Sequence, residues 1–468
     1  MSEKPPEEQP PQHDPAEAEE GYELDPEEVY AVEDAVEAQD RDAIRQRLLE
    51  LYPADQADLL ETLSHNDRAA AVEALGDDIN PETLSYLNSD VREEVIELMG
   101  PDLLARALSQ LDSDDAVGVF ADLDEEAQSR ILARLPQAYR RLLVEGAEFE
   151  EDTAGRLMQR EVVAIPSAWS VGETIDFMRS AENLPDDFYD LYVVNPKHQP
   201  LGLVPLSRLL RARRPQKVSE VMEIERMKPV ALATDQADVA NLFRRFGLVS
   251  APVVDAAGRL VGVITVDDVV LVIDEEAEED LLAFVGAGET DFYAPAIEVA
   301  WARVRWLFVT LINAAIASSV IMQFEATIEQ IVALAVLMPI VAAMGGNAGV
   351  QVVATIVRAL ATRRISPRAN QWRVIGKEVA VNAINAVVFA AVVGTGAALW
   401  FGNWPLGGVL AGAMIFNMVW AGFAGTVIPL TLARIGVDPA IGAGPFLTTT
   451  TDVLGFFAFL GLATLFLL

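Results

Sequence analysis

Hydrophobic and polar residues alternate along this chain with three successive periods. From about residue 28 to 150 apolar residues recur at helical spacing with regular breaks: Leu48, Leu51, Leu59, Leu60, Leu63, Val72 and Leu75 precede Gly76, and Asn80-Pro81-Glu82 follows as a cap, a first-turn proline and a first-turn acid. The pattern repeats weakly at an offset of 60, pairing Leu51 with Leu111, Asp55 with Asp115, Leu59 with Val119, Leu60 with Phe120, Leu63 with Leu123, Val72 with Leu132 and Leu75 with Leu135. Stacked helix pairs with interlocking apolar faces produce such a repeat, as in α-solenoids. Between 156 and 273 short β-branched runs alternate with helical stretches. Here the run from Leu191 aligns with the run from Ala251 at offset 60, through Gly202 and Gly262, so each half predicts β-turn-β followed by a helix. Leu157-Met158 and Val221-Met222 sit at offset 64 instead, which puts about four extra residues in the first copy, between Ala181 and Asp187.

Beyond residue 301 the pattern becomes continuously apolar. Five stretches, near 304–324, 331–360, 378–400, 405–432 and 445–468, each reach the ~20 residues that a spanning helix needs. Arg303 and Arg305 precede the first, and Arg358, Arg363, Arg364, Arg368, Arg373 and Lys377 crowd the link between the second and third. By the positive-inside tendency the amino-terminal domains face the cytoplasm and the carboxyl terminus faces outward. Met338-Pro339 and Gly345-Gly-Asn-Ala-Gly349 predict either an interruption of the second stretch that lines a cavity or a site of close helix packing.

Charge divides the chain at the same point. Residues 301–468 hold five acids and nine bases out of 71 and 34 in the whole chain, leaving the first 300 residues at −41 and the rest at +4. So acidic a front repels nucleic acid and anionic lipid and attracts cations, or else serves as a solvated, salt-adapted surface. Cysteine is absent and the three histidines, His13, His65 and His198, are scattered, which excludes disulfides and argues against a zinc centre. Residues 1–27 are rich in Pro and Glu and predict a disordered acidic tail with no signal peptide. Six acids within Asp274 to Asp280 open the stretch to 301, read as an acidic helix broken near Gly286 to Gly288; they repel one another unless cations or basic partners neutralise them.

The last apolar stretch contains a carboxylate. Asp452 lies about 10 Å into it, counted from Pro445 at ~1.5 Å per helical residue. An ionised Asp in a membrane helix costs roughly 2.5–3.5 kcal/mol on insertion scales. It needs a partner: neighbouring hydroxyls such as Thr448, Thr449 or Thr451, or a cation.

Residues 156–273 resemble a tandem pair of CBS domains. That resemblance implies an adenosine nucleotide site where Thr/Ser-x-x-Asp ends the second strand: Thr265-Val-Asp-Asp268 has it, while Pro205-Leu-Ser-Arg208 does not. The order of parts as a whole resembles the MgtE family of magnesium channels. The matching pieces are the helical amino-terminal region, Glu151-Asp-Thr-Ala-Gly155, the CBS pair, the acidic connecting helix, Ala302-Arg-Val-Arg-Trp306, Pro339 with Gly345-Gly-Asn-Ala-Gly349, Arg358-Ala-Leu, Gly436-Val-Asp-Pro-Ala440 and Thr451-Asp452.

The resemblance implies a multidomain protein with an all-α superhelical domain at 28–150, CBS domains at 151–217 and 218–273, an acidic plug helix at 274–301 and a five-helix transmembrane pore domain at 302–468. It implies a homodimer in the cytoplasmic membrane, with Mg²⁺ as transported and regulatory ion, and Asp452 from both copies on the ion path. Gly444, where the family commonly has Asn, and Thr448 fall beside the ion's hydration shell. Asp268, Glu275, Glu276, Glu279 and Asp280 become regulatory Mg²⁺ ligands. Glu378 follows Arg373 and Lys377 at the cytoplasmic end of the third stretch, and that position predicts an interfacial, supporting role. A proton- or sodium-coupled divalent cation transporter is the alternative. A CBS-regulated membrane enzyme fares worst, because the apolar half has no nucleophile spaced with a base.

Overall fold

A computed structural model describes residues 26–181, 184–185, 187–285, 296–365 and 371–468. The acidic tail, except its last two residues, and most of the expected insertion between Ala181 and Asp187 lie outside these described residues. The chain forms two units, residues up to Ile273 and residues from Asp274.

The first unit opens with helices α1 (Pro26–Glu37), α2 (Arg41–Glu50), α3 (Pro53–Thr62), α4 (His65–Leu75), α5 (Ser89–Leu108), α6 (Ser113–Ala121), α7 (Glu125–Leu132) and α8 (Gln137–Ala147). α3 with α4, and α6 with α7, occupy the two halves of the offset-60 repeat, and Leu59, Leu60, Leu63, Val119, Phe120 and Leu123 all join one core. The repeat extends to the hydrogen bonds. Arg68 donates to the carbonyls of Leu60 (2.7 Å) and Leu63 (3.0 Å), and Gln128, its counterpart, donates to those of Phe120 (3.2 Å) and Leu123 (3.0 Å). Each long polar side chain satisfies carbonyls orphaned where the preceding helix ends. Asn80 caps only a turn, through Glu82 N–H (3.1 Å), and the next long helix starts at Asn88, because Leu84 and Leu87 are drawn into the core between them. Gly100 (φ 73°) bends α5 just before Pro101, a conformation open to glycine at little cost.

The CBS pair comprises β1 (Ala164–Pro166), α9 (Val171–Ser180), β2 (Asp190–Val194), β3 (Pro200–Pro205), β4 (Val230–Ala231), α10 (Gln236–Phe246), β5 (Ser250–Val254), β6 (Leu260–Thr265) and α11 (Val266–Val285). Each sheet has a parallel pair (β1–β2, β4–β5) and an antiparallel hairpin (β2–β3, β5–β6), with the register shift at Val193/Val194 recurring at Val253/Val254. The segments that lead into the two copies exchange cores. Ala154 and Met158, which precede the first copy, lie in the core of the second, while Val218, Val221 and Met222 lie in the core of the first. Gly262 and Gly202 make room for this, since a Cβ at Gly262 would fall 2.5 Å from the Gln159 carbonyl. Between the copies the buried Tyr192 hydroxyl lies 2.5 Å from Ser250 Oγ, which donates to Asp190 Oδ2 (2.8 Å).

The second unit holds five helices long and apolar enough to cross a membrane: α12 (Ala296–Met322), α13 (Ala333–Ala361), α14 (Gln371–Phe401), α15 (Trp404–Ile435) and α16 (Pro439–Phe466). The second stretch is not interrupted: α13 runs unbroken through Pro339 and the glycines. The glycines serve close packing instead. A Cβ at Gly349 would meet Leu447 of α16 at 2.7 Å, and one at Gly345 would meet Asn417 of α15 at 2.1 Å. In a bilayer, where lipid is as apolar as leucine, such close approach of backbones is what draws helices together.

Candidate functional site

α16 begins with Asp438, whose carboxylate accepts from Ala440 N–H (2.8 Å), and with Pro439 at its first position, so a capped, pre-set start fixes its direction. Eight residues from Ala440 to Ala463, among them Leu447, Thr451, Gly455 and Phe459, form its buried stripe. Gly444, Thr448 and Asp452, spaced i, i+4 and i+8, form a second stripe beside it, where Thr448 is exposed and Gly444 and Asp452 are half-buried. The neighbouring hydroxyls are committed elsewhere. Thr448 donates to the Gly444 carbonyl (3.1 Å), Thr449 to that of Pro445 (2.7 Å), and Thr451 to those of Leu447 and Thr448 (both 3.1 Å). Asp452 has no hydrogen bond or ion pair among the described residues. From α12, Asn313 Nδ2 reaches the carbonyl of Pro445, the residue next to Gly444, at 3.3 Å.

Sequence reading passed over Asn417, a fully buried amide of α15. Its Nδ2 donates to the Val341 carbonyl of α13 (3.0 Å), its Oδ1 is buried without a partner, and Gly345 and Gly455 press on it from two helices. An amide within an otherwise apolar span was the available signal. Glu378 is buried in the second turn of α14, 3.9 Å from the exposed ammonium of Lys377, and Asn382 donates to its backbone carbonyl (3.0 Å).

The regulatory candidates lie on α11, which continues unbroken from the end of β6 into the acidic run. Glu275 and Glu279 are exposed and Glu276 half-buried; the Asp280 side chain and the expected break at Gly286 to Gly288 lie outside what the structure describes. Near its carboxyl end, Ala283 packs with Val353, Val357, Ala440, Ala443 and Leu447 at the foot of α16. At the other end of α11 Thr265 Oγ1 donates to Asp268 Oδ2 (2.7 Å). Asp268 in turn lies near Asp114 and Asp115 at the start of α6, and burial is the first cause of the raised pKa of all three. Burial pushes Asp268 up to about 7, with Asp267 and Asp115 adding to it, and pushes Asp115 up to about 6. Burial likewise raises Asp114 well above the usual carboxylate range, Asp268 contributing next. α6 is held there by Ser113, whose hydroxyl donates to Glu161 Oε2 (2.6 Å) and accepts from Arg160 N–H (2.7 Å). No group of three or more acids or histidines among the described residues is close enough to hold a bare metal ion.

Five apolar helices, one bearing a half-buried carboxylate with no partner among the described residues, joined in sequence to a CBS pair and a helical domain, define a membrane transport protein with attached cytosolic-type domains. Residues 338–462 match the divalent cation transporter family MgtE, residues 51–152 the MgtE intracellular N domain, and residues 154–215 and 218–275 the CBS domain. The magnesium transporter MgtE of Thermus thermophilus is 36% identical over 444 residues, which cover 93% of this chain and 98% of that protein. The magnesium transporter MgtE of Bacillus subtilis is 32% identical over 320 residues, 68% of this chain and 70% of that one. Among solved structures, the cytosolic domain of the Mg²⁺ channel MgtE in complex with ATP covers 52% of this chain and 99% of its own at 31% identity and a TM-score of 0.48. The soluble part of a magnesium transporter covers 54% and 98% at 24% identity and a TM-score of 0.47. The chain belongs to the MgtE family of magnesium transporters, as its resemblance implies, with a cytosolic N-terminal domain and membrane-spanning helices.

Proposed function

We propose that this chain takes up Mg²⁺ as a homodimeric channel in the cytoplasmic membrane, its pore lined by α16 of both copies, and that Mg²⁺ on its cytosolic acids closes it. The observation that carries the pore assignment is the partnerless Asp452 on a stripe that a single chain leaves open. A second copy across a two-fold axis would enclose that stripe and bring two carboxylates together. Mg²⁺ keeps its waters tightly and prefers octahedral oxygen at ~2.0–2.1 Å, so the two carboxylates, with Thr448 and the Gly444 carbonyl nearby, would hold the hydrated ion through its water shell. Cation entry then relieves both the mutual repulsion and the desolvation of the acids. Asp452→Asn and Asp452→Ala are expected to abolish Mg²⁺ flux into proteoliposomes while the dimer persists; normal flux in Asp452→Ala overturns the assignment. Because the chain has no cysteine, Thr448→Cys provides a clean test of the axis, forming a disulfide between copies if the stripes face each other. A flux that follows the Mg²⁺ gradient without pH or Na⁺ dependence excludes the coupled-transporter alternative.

For gating, the supporting observation is that one helix, α11, carries acids along its length and packs on the foot of α16 at its end. Hydrated Mg²⁺ bridging Asp268 to Asp114 and Asp115, and screening Glu275, Glu276, Glu279 and Asp280, would favour a compact closed state. Such coupling requires tighter Mg²⁺ binding to the closed state than to the open one. An adenosine nucleotide at Thr265 and Asp268 would place phosphates among Asp114, Asp115 and Asp267. We therefore propose that ATP binds there only together with Mg²⁺, which titration calorimetry with and without Mg²⁺ checks.

A further inference from the structure

Among the described residues, the eight bases from 301 onward belong to one end of the helix bundle, where α12 begins, α13 ends, α14 begins and α15 ends, whereas the opposite end carries Glu325 and Glu329 and no base. The helix ends at one corner are packed together by Leu360 of α13, Ile365 just after it, Val374 of α14 and Leu430 of α15. That packing gathers Arg358, Arg364, Arg373 and Arg434, all exposed and none with an acidic partner among the described residues. Lys377 adds a fifth charge, whose nearest acid, the buried Glu378, is 3.9 Å away. Arg358 and Arg434 sit at helix C-termini, where the helix dipole favours cations, but Arg373 and Lys377 sit in the first two turns of α14, where it opposes them. Helix electrostatics therefore do not account for this gathering. Like charges held together repel unless an anion lies between them. The corner also carries Trp372, 82% exposed beside Arg373, at the end of a long apolar helix, the position that aromatic side chains take at the headgroup level of a bilayer.

We propose that the corner formed by Arg358, Arg364, Trp372, Arg373, Lys377 and Arg434 binds the headgroup phosphate of an anionic phospholipid. The guanidinium groups would take the phosphate oxygens through paired N–H donors, and the Trp372 ring would lie against the glycerol and upper acyl region. The first 300 residues, at −41, repel anionic lipid, so this corner would hold the protein's positive contact with the membrane surface. A general inward bias of bases would orient the helices without requiring the bases to converge or to prefer one headgroup.

The test uses the full chain in vesicles of phosphatidylcholine with and without phosphatidylglycerol, reading energy transfer from tryptophan to headgroup-labelled lipid. Labelled phosphatidylglycerol is expected to be retained over labelled phosphatidylcholine, with a loss of about fivefold in that preference for each base neutralised, as in Arg364→Gln or Arg373→Gln. Arg358→Lys with Arg364→Lys and Arg373→Lys keeps the charge that orients the helices and is expected to keep most of the preference. Should a Gln variant fail to insert, competition on the parent protein decides. Unlabelled phosphatidylglycerol displacing the label while inorganic phosphate does not supports a lipid site. Equal retention of both lipids, displacement by inorganic phosphate at the same concentration, or an undiminished preference in an inserted Arg364→Gln, Arg373→Gln double variant overturns it.

Discussion

Gly345→Ala isolates the contact that ties three membrane helices together. The added Cβ would fall 2.1 Å from Asn417 Nδ2 and 2.6 Å from its Cγ, against 3.4 Å for ordinary contact. Either α13 and α15 move apart by more than 1 Å or Asn417 turns away and gives up its bond to the Val341 carbonyl. Overpacking of this kind costs about 1–3 kcal/mol, and an interhelical hydrogen bond in a membrane averages about 0.6 kcal/mol, so we expect a destabilisation of about 2–4 kcal/mol. Asn417→Ala behaves differently. It loses the same bond but also removes the buried, unpartnered Oδ1, a group whose burial costs about 1–3 kcal/mol, so its net effect should be small. With the amide gone, Gly345→Ala has room, and the double variant should recover most of the loss, a coupling of about 1–3 kcal/mol. Because Gly455 also presses on Asn417 and lies one turn after Asp452, Mg²⁺ uptake should fall in Gly345→Ala and recover in the double variant along with stability. Unfolding titrations in detergent and flux into proteoliposomes measure the two. If Gly345→Ala costs as much without Asn417 as with it, the amide is not the obstacle and this account of the packing fails.

Combining Glu276→Ala, Glu279→Ala and Asp280→Ala should leave channels open, in patch recordings, at Mg²⁺ concentrations that shut the parent; closure at the same concentration makes α11 a solvated connector. Burial raises Asp190 above the usual carboxylate range, with Ser250 and Arg226 pulling it down and Glu223 pushing it up. Its protonation therefore supports the fold at low pH, and that support is lost as pH rises through its folded value. Asp190→Asn, which still accepts from Ser250, should melt higher than the parent at neutral pH, and the gap should close as pH falls into the acid range. Gly262→Ala drives a Cβ against the Gln159 carbonyl, backbone that cannot step aside, and should lower the melting temperature of the CBS region by the equivalent of about 1–3 kcal/mol.

Much of the architecture is legible in the sequence because its cause is local. The leucine spacing of α3 and α4 recurs in α6 and α7, and the hairpins around Gly202 and Gly262 align residue for residue. Three features are not legible. Arg68 and Gln128 do the same work at equivalent positions, but their different chemistry hides the repeat from a comparison of letters. The exchanged segments around Met158 and Met222 read as ordinary apolar turns, since periodicity reports which face is buried and not which partner buries it. Around Gly345 the letters fit a break and a close crossing equally well, and the deciding neighbour, Asn417, is 72 residues away. Asp452 was conspicuous because charge in an apolar helix is costly, whereas the neutral amide of Asn417 raises no such alarm.

The exchange of segments within the CBS pair also bears on how the chain is made. Ala154 and Met158 find their core only when β5 and β6 exist, so the first copy's leading segment waits for more than 100 residues of further synthesis. Neither repeat can be completed while the other is still inside the ribosome, and the pair closes as a single event once Val272 has emerged. α12 starts at Ala296, 24 residues later. At roughly 5–20 residues per second that interval is only a few seconds. The CBS pair therefore has a narrow window in which to fold before the first membrane segment reaches the insertion machinery, and a ribosomal pause between residues 272 and 296 would raise the yield of correctly assembled protein.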